Sequence, residues 1–165
     1  EFNQIEKFCK HNNIYHGKQT DDVLFIDENS SNYSNKGLRI SENDKRKGLY
    51  FYYFSKDEQE AYLASYYELI DNQKELGLLL GYPRCCVNYF VNSFSETNSN
   101  PEHNASNGNN LIDLSKRGED VVLISHFSCE GNCQESIHIA KKNLNFLQDN
   151  FSERAEEIVN SLKLY

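Results

Sequence analysis

Two pairs of cysteines constrain this chain more than any other feature. Cys85 and Cys86 stand side by side, and Cys129 and Cys133 are separated by three residues. Each pair coincides with a helix start marked in the sequence. Proline is favoured at the first helical position, so Gly81-Tyr82-Pro83-Arg84-Cys85-Cys86 puts two sulfurs in the opening turn of a helix running to about Phe94. Asn132 with Glu135 resembles another helix start, ahead of a helix from about Cys133 to Asn150. Unpaired backbone N–H groups and the helix dipole favour thiolate over thiol at such positions. Thiolate is the form that binds metal or attacks an electrophile.

Composition narrows the function classes. The formal charge is −8 over 165 residues. Nucleic-acid affinity comes largely from clustered Lys and Arg, so an acidic surface argues against a nucleic-acid partner. A small molecule or a protein is the expected substrate, and the oligomeric state is open. The dense basic run at Lys45-Arg46-Lys47 reads as a solvated loop. No apolar run approaches the roughly 18 residues that span a bilayer, so no membrane association is expected. The five cysteines are clustered and odd in number. That pattern suits a reducing compartment and a metal or reactive-thiol site better than a disulfide scaffold, so the expected location is cytoplasmic. Walker, Rossmann and Gly-x-Ser-x-Gly motifs are absent.

The remaining pattern predicts a single α+β domain over 1–165, mostly helical with a small sheet. Ile5, Phe8 and Cys9 have helical spacing within residues 3–13. Residues 22–26 and the aromatic run 49–54 read as strands, with polar turn signals at 28–37 between them. Ser55 and Glu58 have the form of a capping box, opening a helix to about Asp71 that offers Ala61, Leu63, Ala64, Tyr67 and Ile70 for burial. A short helix covers about 73–80. Residues 95–110 are almost wholly polar and read as a flexible loop. Residues 121–125 (Val-Val-Leu-Ile-Ser) are the clearest strand, and a last helix covers about 152–163.

The spacing at the cysteines fits ligation. Cys129 and Cys133 can fold around one ion, and His126 lies three residues before Cys129. Adjacent cysteines point in different directions, so Cys85 and Cys86 are easier to reconcile with a multi-iron cluster than with one tetrahedral zinc. The expected cofactor is an iron–sulfur cluster, with zinc next and metal-free thiol chemistry third. The ligand candidates are Cys85, Cys86, Cys129, Cys133 and His126. Cys85, Cys86 and His126 are also the catalytic candidates, as reactive thiolates and a proton carrier. Arg84, beside the pair, is placed to lower a thiol pKa or hold an anionic cofactor or substrate group. Cys9 reads as core. The leading function is a metal- or thiol-dependent enzyme of redox or sulfur chemistry. The alternatives are a zinc-stabilised interaction module and a thiol–disulfide enzyme.

The segments Gly81-Tyr82-Pro83-x-Cys85-Cys86-x-x-x-Phe90 and His126-x-x-Cys129-x-x-x-Cys133-x-x-Ser136 resemble the paired signatures of an uncharacterised archaeal and bacterial domain family. Its members carry Gly-Tyr-Pro-x-Cys-Cys followed by His-x-Pro-Cys-x3-Cys. Ser128 stands where the family usually has proline. The resemblance implies that the cysteines and His126 share one site. A looser similarity to the Cys-Cys…Cys-x-x-Cys modules of heterodisulfide reductases points towards iron, although here the last pair is spaced by three residues and the upstream cysteine would be the distant Cys9.

Overall fold

Six α-helices and four short strands form among the residues that the computed structural model describes, which are 2–18, 23–27, 32–39, 51–93 and 108–164. The chain is α+β and mainly helical. It divides into two compact units, one built from Glu1–Gly81 and Phe94–Asn100, the other from Tyr82–Ser93 and Pro101–Tyr165. Residues 94–107, which hold most of the expected polar loop, lie outside the described residues, as do positions 49 and 50 of the expected aromatic strand.

In the first unit, helix α1 (Phe2–His11) leads into β1 (Tyr15–Lys18), which pairs antiparallel with β4 (Tyr52–Ser55). Cys9 of α1 is buried, as expected of a core residue, whereas Ile5 and Phe8 are exposed. Helix α2 (Glu58–Leu69) packs on this pair and buries Ala61 and Ala64. Gly17 of β1 is required by that packing, because a Cβ there would collide with the Ser65 hydroxyl and the Ala61 carbonyl oxygen. The start of α2 differs from the expected capping box. Asp57 is the N-cap, and its carboxylate accepts from the amides of Gln59 at 2.8 Å and Glu60 at 3.2 Å. Ser55 instead accepts from the Asp57 amide and donates to Glu60. A carboxylate carries more charge than a hydroxyl, so it is the stronger acceptor for helix-end donors. Of the apolar residues offered for burial, Ile70 is exposed at the C-cap. Helix α3 (Gln73–Leu79) follows, capped by Asn72.

Strands β2 (Val23–Asp27) and β3 (Asn32–Arg39) form a separate antiparallel pair with an irregularity between Leu24 and Ile26. The polar stretch expected as turn therefore contains a strand from Asn32 onward. Ladder hydrogen bonds come from the backbone, and a paired edge can impose an extended chain on residues of low strand propensity.

The second unit consists of α4 (Arg84–Ser93), α5 (Gln134–Asn150), α6 (Ser152–Leu162) and two 3-10 turns, at Asn110–Ile112 and Arg117–Glu119. Its core joins Ile112, Val121, Leu123, Ile124, Ile137, Ala140, Ile158 and Leu162. Helix α6 contributes Ala155, Ile158, Val159 and Leu162, a stripe at i, i+3, i+4 and i+7. The expected strand at 121–125 does not form. That segment is irregular and is buried against α5 and α6 without a ladder partner among the described residues. One of its carbonyls is satisfied from a helix side chain, Asn143 Nδ2 donating to Leu123 O at 2.8 Å. A short apolar run reports burial, and burial is common to strands, helices and packed irregular chain.

Candidate metal centre

The second unit gathers four sulfurs. Cys85 and Cys86 lie in the first turn of α4, where the Pro83 carbonyl accepts the first helical hydrogen bond, from Val87 N at 2.9 Å. Arg84 rather than Pro83 is thus the first helical residue, a shift of one position from the sequence expectation. Cys133 occupies the N-cap of α5, and its amide donates to Glu130 O at 3.2 Å, closing the turn that follows Cys129. The same turn is tied down by Asn109 N, which donates to Gly131 O at 2.8 Å. Two helix N-termini therefore contribute Cys85, Cys86 and Cys133, and the chain just before α5 contributes Cys129.

The Cys85, Cys86 and Cys133 sulfurs form a near-equilateral triangle. Cys85–Cys86 and Cys85–Cys133 are 3.8 Å apart, and Cys86–Cys133 is 3.6 Å. With Cys129 included, all four sulfurs lie within 4.8 Å of one another. Neighbours in sequence do converge here: a helical turn splays the two side chains, but Cys133 sits where both can face it. Four such sulfurs can hold a metal ion. Thiolates on one tetrahedral ion at about 2.3 Å stand about 3.8 Å apart, so the observed triangle fits the face of a single-ion site.

Exposure and hydrogen bonding separate the four. Cys86 and Cys133 are buried, Cys129 is half-buried and Cys85 is exposed. The Cys86 sulfur receives the Cys129 amide at 3.4 Å and lies 3.2 Å from Ser136 Oγ. Burial pushes the Cys86 thiol up to about 11, although Ser136 and the Cys129 amide act in the opposite direction. Burial and the neighbouring sulfurs also raise Cys129. Burial opposes ionisation of Cys133 too, but there the Ser136 hydroxyl and amide, with Cys86 and Cys129, outweigh it and bring the thiol down to about 7. Hydrogen bonding thus favours ionisation at Cys133, while burial disfavours it at Cys86 and Cys129. A coordinating divalent ion removes the penalty on the others, because a metal-bound thiol is deprotonated outright.

His126 is buried, and its Nε2 lies 2.9 Å from Ser136 Oγ. The four-sulfur group does not include it. The imidazole instead meets the cluster through Ser136, in the order His126, Ser136, Cys86. Burial lowers the His126 pKa to about 4, so the ring is neutral at neutral pH. Tyr82 lies against the ring with centroids 5.0 Å apart, and its hydroxyl accepts from Ser125 at 3.2 Å. Arg84 is exposed beside Cys85. Phe90, one turn beyond Cys86, stacks on Phe127 at 5.8 Å with planes 7° apart.

Ser136 is the site residue that composition and spacing left without a role. It is fully buried and touches both a cysteine and the histidine. The available signal was its position three residues after Cys133, on the helix face that also carries Ile137 and Ala140 inward.

Residues 61–163 match the family described as "Protein of unknown function (DUF483)", and the chain belongs to that family. The match contains all four clustered cysteines, Ser136 and His126. No curated protein and no solved structure matches the chain.

Proposed function

We propose, taking membership of that family as the premise, that the second unit is built around a single tetrathiolate metal ion, with zinc the first choice. The observation that carries this reading is the 3.6–3.8 Å spacing of the Cys85, Cys86 and Cys133 sulfurs. In a multi-iron cluster, thiolates on different irons are held apart by bridging sulfides and the metal–metal vector. A single ion brings them to about the spacing seen. Tetrahedral sulfur sites are the preference of zinc and of iron, so one iron in the same cage is the nearest competitor.

Four protein ligands fill a tetrahedron, which is the arrangement of structural rather than hydrolytic zinc. The ion would join the start of α4 to the start of α5. Cys85 and Cys133 are separated by 48 positions in sequence. Cross-linking a loop of that length removes about 4 kcal/mol of chain entropy from the unfolded state, by the same argument that applies to disulfides. Cys85, Cys86, Cys129 and Cys133 would be the ligands. Ser136 and the Cys129 amide would support Cys86, and His126 would hold Ser136 in place.

The test is metal analysis together with an absorption spectrum on anaerobically purified protein. One zinc per chain, no visible colour, and loss of the metal in Cys86→Ser or Cys133→Ser chains are expected. Replacement by cobalt should give the intense visible bands of a tetrathiolate ion. Iron with stoichiometric inorganic sulfide would overturn the single-ion reading and return the site to cluster chemistry. No metal at any loading would leave the four thiols as a redox site.

A further inference from the structure

The four sulfurs are not equivalent, and the asymmetry assigns one of them a chemistry. Cys86 and Cys133 are buried at 1% and 3% exposure, and both take hydrogen bonds from N–H or O–H groups. Cys85 is exposed, and among the described residues its polar partners are the other three sulfurs. A hydrogen bond to a thiolate withdraws electron density from sulfur and must weaken as the sulfur forms a bond to carbon. The sulfur that lacks such donors and faces solvent is therefore the strongest nucleophile of the set. Four thiolates around a divalent ion carry a net double negative charge, which raises the electron density on the exposed sulfur.

We infer that Cys85 accepts an alkyl group, as a metal-bound thiolate, from a small donor whose unhindered sp3 carbon bears a good leaving group. The inference rests on the single-ion reading above. Cys85 Sγ attacks the carbon, an S–C bond forms, the C–leaving-group bond breaks, and the leaving group departs with the electron pair. No proton and no oxidant are needed, and the product is a thioether at Cys85. A thioether is a poorer ligand than a thiolate, so transfer would also loosen one corner of the site while Cys86, Cys129 and Cys133 remain. Cys86 and Cys133 are buried and Cys129 is half-buried, which leaves Cys85 the most accessible corner.

The test uses the full chain loaded with zinc and treated with limiting iodoacetamide or methyl iodide. Peptide mass mapping gives the rate at each cysteine, and metal content is measured at each time point. Cys85 should be modified at least about tenfold faster than Cys86, Cys129 or Cys133, the rate equivalent of one hydrogen bond to a charged group. A Cys85→Ser chain should lose the fast phase and no other. Modification first at another of the four, or at all four together, overturns the inference while the metal reading stands. Failure to retain zinc before any reagent is added removes the metal reading and the inference with it, and the metal measurement alone tells the two failures apart.

Discussion

Replacing Ser136 with alanine removes one oxygen from the interior and should disturb both stability and metal affinity. The hydroxyl is fully buried, 2.9 Å from His126 Nε2 and 3.2 Å from Cys86 Sγ. Alanine fits the space, so packing changes little. His126, however, is only 6% exposed, and its ring nitrogen would lose its partner. An unsatisfied buried polar group costs about 1–3 kcal/mol. Loss of a supporting donor behind a metal ligand typically costs about 10–100-fold in affinity, or about 1.4–2.7 kcal/mol. Urea unfolding at a fixed, buffered zinc concentration should therefore show a loss of about 2–5 kcal/mol for Ser136→Ala. Competition with a chromophoric chelator should isolate the affinity part. A double-mutant cycle makes the reasoning sharper, because removing both partners of a buried hydrogen bond can be nearly neutral. In the Ser136→Ala background, His126→Phe should cost at least about 1 kcal/mol less than it does alone. If Ser136→Ala left stability and zinc affinity unchanged, and His126→Phe cost the same in both backgrounds, the relay would have no energetic meaning.

Three further outcomes follow from the same structure. NMR titration of the folded protein should find His126 neutral down to about pH 4, because burial disfavours the imidazolium. The unfolded chain takes up that proton first, so this residue's contribution is intact above about pH 6.5 and is lost as pH falls towards 4, by up to about 3 kcal/mol; a titration midpoint near the ordinary histidine value would refute it. Gly17→Ala should lower the melting temperature of the full chain, since the added carbon meets the Ala61 backbone and the Ser65 side chain, and an unchanged melt would mean that α2 does not pack so close to β1. Ile158→Ala, at a position 2% exposed in the α6 stripe, should cost about 2–5 kcal/mol in denaturant unfolding, and a loss under about 1 kcal/mol would show that the second unit's core is not built as described.

Much of the site could be read from residue types alone, because chemistry limits what clustered cysteines at helix starts can do. Pro83 located α4, Asn132 and Glu135 located α5 to within one residue, and both pairs of sulfurs meet. The convergence of Cys85 and Cys86 was harder to foresee. It depends on where Cys133 stands relative to α4, a tertiary fact that no local spacing carries. Ser136 closes the second signature yet was given no role, for a similar reason: a serine on a helix is usually solvated, and only packing reveals that this one is enclosed. The segment at 121–125 shows the opposite error. Its apolar residues are buried as expected, but the pattern speaks of burial and not of hydrogen-bond partners, and α5 and α6 supply the contacts that a neighbouring strand would have given. The start of α2 moved by two residues because Asp57 and Ser55 both offer acceptors, and the choice between them is local electrostatics.

The serine between His126 and Cys86 also has a directional consequence. A hydroxyl has one hydrogen and can give it to one neighbour only. When Cys86 is a thiolate, that hydrogen belongs on the sulfur side, and Ser136 Oγ must accept from His126, which places the ring hydrogen on Nε2. When Cys86 and Cys133 both carry their own hydrogens and Cys86 donates to Ser136, the hydroxyl turns towards the ring, and the imidazole hydrogen belongs on Nδ1. Charging the sulfur and exchanging the two neutral tautomers of a histidine are then one event, written in the ring's nitrogen chemical shifts some distance from any metal.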